Sequence, residues 1–176
     1  MNKAKKLESL YPIRIMGIDP GSLIAGVAVI VSKNKKPLNI RDYVVQDVLT
    51  LQAKKDLHIH KRVQLFHNTL YNLLTEYKPT HVVLESGYFG INAQSSLKLG
   101  LIRGAMIAAV GRCSMDISEI TPAQVKKIIT GNGHATKEQI TFALKTLIGY
   151  DATDLSYDAT DALAVGLSYG IGVMFL

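Results

Sequence analysis

Two short apolar runs joined by one tight turn set the terms for the rest of this chain. Residues 13–19 and 24–31 are rich in Ile and Val, and Pro20-Gly21-Ser22 stands between them. Such runs on either side of a Pro-Gly turn predict a pair of β-strands. A third strand is expected over 38–49, after the turn Lys33-Asn34-Lys35-Lys36-Pro37, and the order implies an antiparallel meander. The period then changes. Leu57, Val63, Leu65, Phe66, Leu70, Leu73 and Leu74 recur at helical spacing within 54–77 and fall largely on one side. Residues 81–86 are short and nearly all apolar, as expected of a strand buried on both faces. A helix over 93–111, a strand over 115–120, helices over 122–130 and 136–148, and a last helix near 158–172 complete the pattern. Thr121 before Pro122 is an N-cap with proline at the first helical position, and Thr136-Lys137-Glu138-Gln139 is a capping-box pattern. The order βββαβαβ followed by helices predicts an α/β protein, a layered sheet with helices on both faces. No internal repeat, low-complexity tract or linker interrupts it. Residues 13–176 are therefore expected to form a single domain behind a basic N-terminal extension, residues 1–12.

Composition narrows the partners. The chain has 176 residues, 48% apolar and only 19% charged, which predicts a folded globule with a real core. Its net charge of +6 suits a polyanionic partner, although many basic proteins bind no nucleic acid. Cys113 is the only cysteine, so an internal disulfide and a zinc site built on cysteines are both excluded. It reads as a small core residue in a reducing cytoplasm. Lys3, Lys5 and Lys6 are not followed by an apolar signal core before Arg14 and Asp19, so no secretory peptide is expected. The stretch from Ala162 to Leu176 is apolar but short for a membrane span, and Gly170 to Leu176 is expected to dock on the body or on another subunit.

Against this basic background, four carboxylates stand at the ends of apolar segments. Asp19 closes Ile13-Arg14-Ile15-Met16-Gly17-Ile18, and Glu85 closes His81-Val82-Val83-Leu84. Asp158 and Asp161 head Ala162-Leu163-Ala164-Val165, three residues apart and so on one helical side. Carboxylates near a core need something to neutralise them. Four that converge would suit a hard divalent cation, Mg²⁺ or Mn²⁺. Each also has an ordinary explanation. Asp19 can be a turn residue before Pro-Gly, Glu85 can be solvated in a loop with Ser86-Gly87, and acids in a first helical turn are favoured by the dipole. Asp151 and Asp154 read as solvated residues of that last kind. The Asp-Pro-Gly turn is also similar to the phosphate turn of actin-like and sugar-kinase ATPases. Those chains are much longer and carry a second phosphate loop, and neither feature is present here.

Other residues suggest contacts with a partner. Lys126 and Lys127 precede Gly131-Asn132-Gly133-His134, and Lys137 follows; a glycine loop with flanking lysines can cradle phosphate, or the lysines can simply be solvated. His134 reads first as a polar loop residue. Tyr88 and Phe89 lie between Gly87 and Gly90, where they can stack on unpaired bases or fold under the loop. Ser96, Gly100, Gly104 and Ala108 recur every four residues on one helix, a stripe that lets another helix approach closely, from within the chain or from a second subunit. Met106, Ile107, Leu97 and Leu101 are expected to add apolar surface beside it.

Taken jointly, several motifs resemble the RuvC family of bacterial Holliday-junction resolvases. They are Gly17-Ile18-Asp19-Pro20-Gly21-Ser22, Leu84-Glu85-Ser86, the run Asn92-Ala93-Gln94-Ser95-Ser96-Leu97-Lys98-Leu99-Gly100, Arg103-Gly104, Gln124-Val125-Lys126-Lys127, Gly131-Asn132-Gly133 and Asp158-Ala159-Thr160-Asp161-Ala162-Leu163-Ala164. The resemblance covers about Ile13 to Ser168. It implies an RNase-H-like fold, a mixed central sheet flanked by helices on both faces. It also implies a homodimer that nicks two like-polarity strands of a four-way DNA junction during recombination and repair. Asp19, Glu85, Asp158 and Asp161 match the metal-binding acids, with two Mg²⁺ ions per site and Mn²⁺ as a substitute. Lys126 and Lys137 match basic residues near the DNA, Lys127 adjoins them, and Tyr88 falls where the family often has a stacking aromatic. The expected partners are a junction-binding protein and a motor ATPase. Two other readings stay open: an RNA-processing enzyme of the same fold, and a non-catalytic junction-binding module.

Overall fold

The computed structural model describes residues 12–34, 37–86 and 92–173. Five strands form one mixed sheet: β1 (Arg14–Asp19), β2 (Ile24–Ser32), β3 (Tyr43–Gln52), β4 (His81–Glu85) and β5 (Ile117–Ile120). Their spatial order is β3-β2-β1-β4-β5. The first three strands are the antiparallel meander expected, while β4 joins β1, and β5 joins β4, in parallel. Parallel neighbours need crossover helices, and α1 (Ile59–Tyr77) and α2 (Ala93–Arg112) supply them. Three more helices follow: α3 (Pro122–Thr130), α4 (Lys137–Ile148) and α5 (Tyr157–Val173).

Strand alternation sorts the core into two layers. Met16, Ile18, Val27, Val29, Val82 and Leu84 pack under α1 and α2, around Phe66, Leu70, Ile102 and Met106. Ile15, Ala28, Ile30 and Val83 pack under α3, α4 and α5, around Val125, Leu144, Leu163 and Val165. Central β4 is buried on both faces at Val82, Val83 and Leu84. The helix caps follow the local chemistry. Thr121 and Thr136 each accept from the backbone nitrogen three residues on, Gln124 and Gln139 reciprocate, and Pro122 opens α3.

Several boundaries differ from expectation. The third strand starts at Tyr43 rather than at 38, because Asn39 caps a 3₁₀ turn over Ile40–Asp42 and the Asp42 carboxylate accepts from the backbone nitrogens of Leu38 and Asn39. The first helix starts at Ile59 rather than 54. Residues before it form a turn in which Leu57 nitrogen donates to Lys54 oxygen, and Arg62 ties down the Leu57 and Lys55 carbonyls. The last strand starts at Ile117, since Ser114 adopts a left-handed conformation. Leu65 lies off the buried side of α1. Met106 does not flank the small-residue stripe; it is buried in the core. Cys113 caps α2 and is half-buried. Of the C-terminal tail, Gly170 does dock on the body, against the Tyr43 ring; 174–176 lie outside the described residues, as does most of the 1–12 extension. Among the described residues no helix is long and apolar enough to cross a membrane.

Candidate active site

Asp19 ends β1 and Glu85 ends β4. The parallel register pairs Ile18 with Leu84, so the two carboxylates leave adjacent strands one step further on. Alternation also fixes their side. Ile15 and Val83 face α5, and Asp19 and Glu85 share their parity.

Two glycines let α5 come down onto that face. A Cβ on Gly17 would lie 2.3 Å from the Ala162 carbonyl oxygen and 2.5 Å from the Gly166 nitrogen. A Cβ on Gly26 would lie 1.8 Å from the Asp158 carbonyl oxygen. Gly26 is the residue that pairs with Asp19 across β1 and β2. The first turn of α5 therefore rests beside Asp19 at a separation that only glycine permits, and Asp158 and Asp161 enter the site from above the sheet. Ser156 anchors the start of this helix. Its Oγ accepts from Ala159 nitrogen at 3.3 Å and lies 3.1 Å from Thr50 Oγ1 at the end of β3.

Crowding shows in the protonation of these groups. The Asp19 and Glu85 side chains share a hydrogen bond, and both carboxyls keep their proton above the usual carboxylate range. Burial is the largest cause for each. Glu85 is raised further by the neighbouring charge of Asp19, and Asp161 raises both. Asp158 raises Asp19 and Asp161 as well. Burial likewise lifts Asp161, opposed by Lys137, whose Nζ is 3.7 Å from Asp161 Oδ2 and 4.0 Å above the Tyr157 ring. Lys126, half-buried on α3, lowers Glu85 and Asp161. These four carboxylates act on one another partly out of water, a repulsion of the kind that a divalent cation relieves. Among the described residues no three Asp, Glu, His or Cys side chains are already gathered into a cage for one ion. In this arrangement Asp161 is paired with Lys137 instead.

The remaining predicted residues are spread around this centre. Lys127 is exposed in the last turn of α3. The loop after it turns at Gly131, which is left-handed with φ 80°, and Asn132 Oδ1 accepts from His134 nitrogen at 3.0 Å. Exposed His134 thus belongs to a loop that closes on its own polar groups. Tyr88 and Phe89 lie outside the described residues. On α2, Gly100, Gly104 and Ala108 are exposed and Ser96 is half-exposed; a Cβ on either glycine would meet nothing within 4 Å. Leu97, Leu101 and Ile107 are exposed as well, so among the described residues the stripe is an open apolar face with no other helix seated on it. Arg103 received no site role from its sequence context, yet it touches the Glu85 end of β4: its Nη1 donates to the Glu85 carbonyl oxygen, and its Nη2 lies 2.8 Å from Glu119 Oε2 on β5.

Comparison with known proteins places these features in a family context. The family model described as Crossover junction endodeoxyribonuclease RuvC matches residues 15–169. The proteins called crossover junction endodeoxyribonuclease RuvC from Chloroherpeton thalassium and Rickettsia prowazekii are each 36% identical to this chain, over 86% and 88% of it and 78% and 94% of their own lengths. The relative of that name from Thermosipho melanesiensis is 34% identical over 93% of this chain and all of its own. In three dimensions, Thermus thermophilus RuvC in complex with a Holliday junction substrate superposes with a TM-score of 0.82, covering 93% of this chain and 96% of that one at 23% identity. The yeast mitochondrial Holliday junction resolvase Ydc2 gives 0.63 at 10% identity, over 94% and 83%. The shared fold is RNase-H-like.

Proposed function

The chain belongs to the RuvC family of crossover junction endodeoxyribonucleases, and from that membership we propose that it resolves four-way DNA junctions by metal-dependent hydrolysis of phosphodiesters. The observation that carries the reading is the convergence of Asp19, Glu85, Asp158 and Asp161 at one end of the sheet, with Asp19 and Glu85 in hydrogen-bond contact. These four are the proposed metal ligands. Mg²⁺ is the proposed ion, two per site, with Mn²⁺ able to substitute.

When bound, the metal supplies positive charge that activates water and offsets the charge developing on the leaving 3′ oxygen. The protein's own work is to hold and release protons and charges around it. Asp19 and Glu85, both raised by burial, would hold the ion in their deprotonated forms. Asp161 would be among the residues that hold the ion, and Lys137, now 3.7 Å from it, would then be available to a DNA phosphate. Lys126 supplies positive potential to Glu85 and Asp161. The expected products carry a 5′-phosphate and a 3′-hydroxyl. Lys126, Lys127 and Lys137 line the proposed DNA approach, with Tyr88 and Phe89 as the proposed stacking residues. The open face of α2 supports a homodimer, whose two sites would make paired symmetric nicks. A junction-binding protein and a motor ATPase are the proposed partners, and the cytoplasm is the proposed location.

The test is cleavage of end-labelled synthetic four-way junctions with Mg²⁺, beside linear duplex and an RNA–DNA hybrid. Paired nicks confined to the junction are expected. Asp19→Asn should bind junctions as the parent does and cut about 100- to 1000-fold more slowly, the scale of loss when charge stabilisation is removed. Preferential cutting of the hybrid would move the assignment to RNA processing, and binding without any cutting would make the protein a junction-binding module.

A further inference from the structure

We propose that Arg103 is a positioning residue: it fixes the end of β4 that carries Glu85, and through it the geometry of the metal-binding acids. The inference rests on the metal-ligand reading of Glu85 given above. The ladder between β1 and β4 runs only as far as Ile18 and Leu84, so on the β1 side Glu85 lies past the last paired position. On the other side Glu85 pairs with Ile120, and Ser86 nitrogen donates to Ile120 oxygen at 2.8 Å. Arg103 adds a third hold, from the α2 layer. One guanidinium nitrogen donates to the Glu85 carbonyl oxygen, and the other reaches Glu119, next to Ile120 on β5.

The Arg103 side chain is 15% exposed, against 53% for Glu119, so the guanidinium sits largely out of water with two acceptors. A planar fork can serve a carbonyl and a carboxylate at once, whereas an ammonium group has no rigid geometry to span them. The bond is made to the backbone of Glu85, leaving its carboxylate free to face Asp19. Arg103 precedes Gly104, which opens onto the bare face of α2. The helix that offers the dimer face therefore also grips the strand end that offers Glu85.

The test compares Arg103→Ala, Arg103→Lys and Glu119→Gln with the parent protein. Hydrogen–deuterium exchange of the metal-free protein reads the order of residues 84–86, calorimetric titration with Mn²⁺ reads the site, and junction affinity in Ca²⁺ controls for DNA binding. Arg103→Ala should raise exchange selectively at 84–86 and weaken Mn²⁺ binding about 10- to 100-fold, the range for groups that orient metal ligands, with junction affinity held within about twofold. Arg103→Lys should recover part of the loss, and Glu119→Gln should show a smaller one. The Mg²⁺ needed for half-maximal cleavage should rise in the same order. The proposal is overturned by unchanged exchange and Mn²⁺ affinity in Arg103→Ala, or by loosening spread evenly along the chain. A parent protein that binds Mn²⁺ but cuts no junction would refute the nuclease reading and leave the positioning role standing.

Discussion

At the residue scale, the burial of Asp19 and Glu85, joined by the charges of the neighbouring acids, ties stability to pH. A carboxyl whose folded pKa is raised stays protonated where the unfolded chain has already released its proton. The folded state then binds more protons, so stability falls as pH rises from the ordinary carboxylate range through the raised one. The metal-free protein is expected to melt at progressively lower temperature from about pH 4.5 to about pH 8. Asp19→Asn should flatten that slope, and Mg²⁺ should restore the parent's melting temperature at the upper end. A slope identical in parent and variant would mean that the pair carries no such strain. The strand-end positions of Asp19 and Glu85 were legible because each closes an apolar run. Their mutual contact was not legible, since it depends on the parallel register of strands far apart in the chain. Arg103 was harder still: one of its two partners is a main-chain carbonyl, and no sequence pattern names such an atom.

Among the elements, α5 matters most, and its closeness to the sheet is set by what Gly17 and Gly26 lack. Gly17→Ala would push a methyl group into the backbone of Ala162 and Gly166. It is expected to cost at least about 3 kcal/mol, at the upper end for overpacking, because no side chain can move aside. Denaturant unfolding measures that cost, and cleavage should fall with it as Asp158 and Asp161 are lifted away. A variant of parental stability and activity would show that α5 can shift without consequence. By contrast, Thr121→Ala removes only a helix cap and should cost about 1 kcal/mol with activity kept. Both caps could be read from sequence, since their chemistry is local. The starts of β3 and α1 could not. There Asp42 and Arg62 spend their side chains on nearby main-chain groups, and those turns override the longer apolar periodicity.

For the molecule as a whole, the exposed Leu97, Leu101 and Ile107 on α2 are where the proposed contact between copies is tested. Leu101→Glu alters a side chain that is already 45% exposed, so the fold should survive it. Sedimentation should show a dimer for the parent and a monomer of unchanged melting temperature for the variant, which should nick singly rather than in pairs. A parent protein that sediments as a monomer would dispose of the dimer. The fold class was readable because the order of strands and helices admits few layered arrangements. The openness of the α2 stripe was not, since small residues pack inward as readily as outward. The two-residue repeat of the strands divides the molecule's duties. In β1 and β4, positions 15, 17, 19, 83 and 85 answer to the acids and α5, and positions 16, 18, 82 and 84 answer to α1 and α2. Losing or gaining one residue within either strand would trade these sets, while turns could change length freely. Descent should therefore vary the loops and hold the strand lengths fixed, and a new partner on α2 could be acquired with little change to the acids, except where Arg103 crosses between the two.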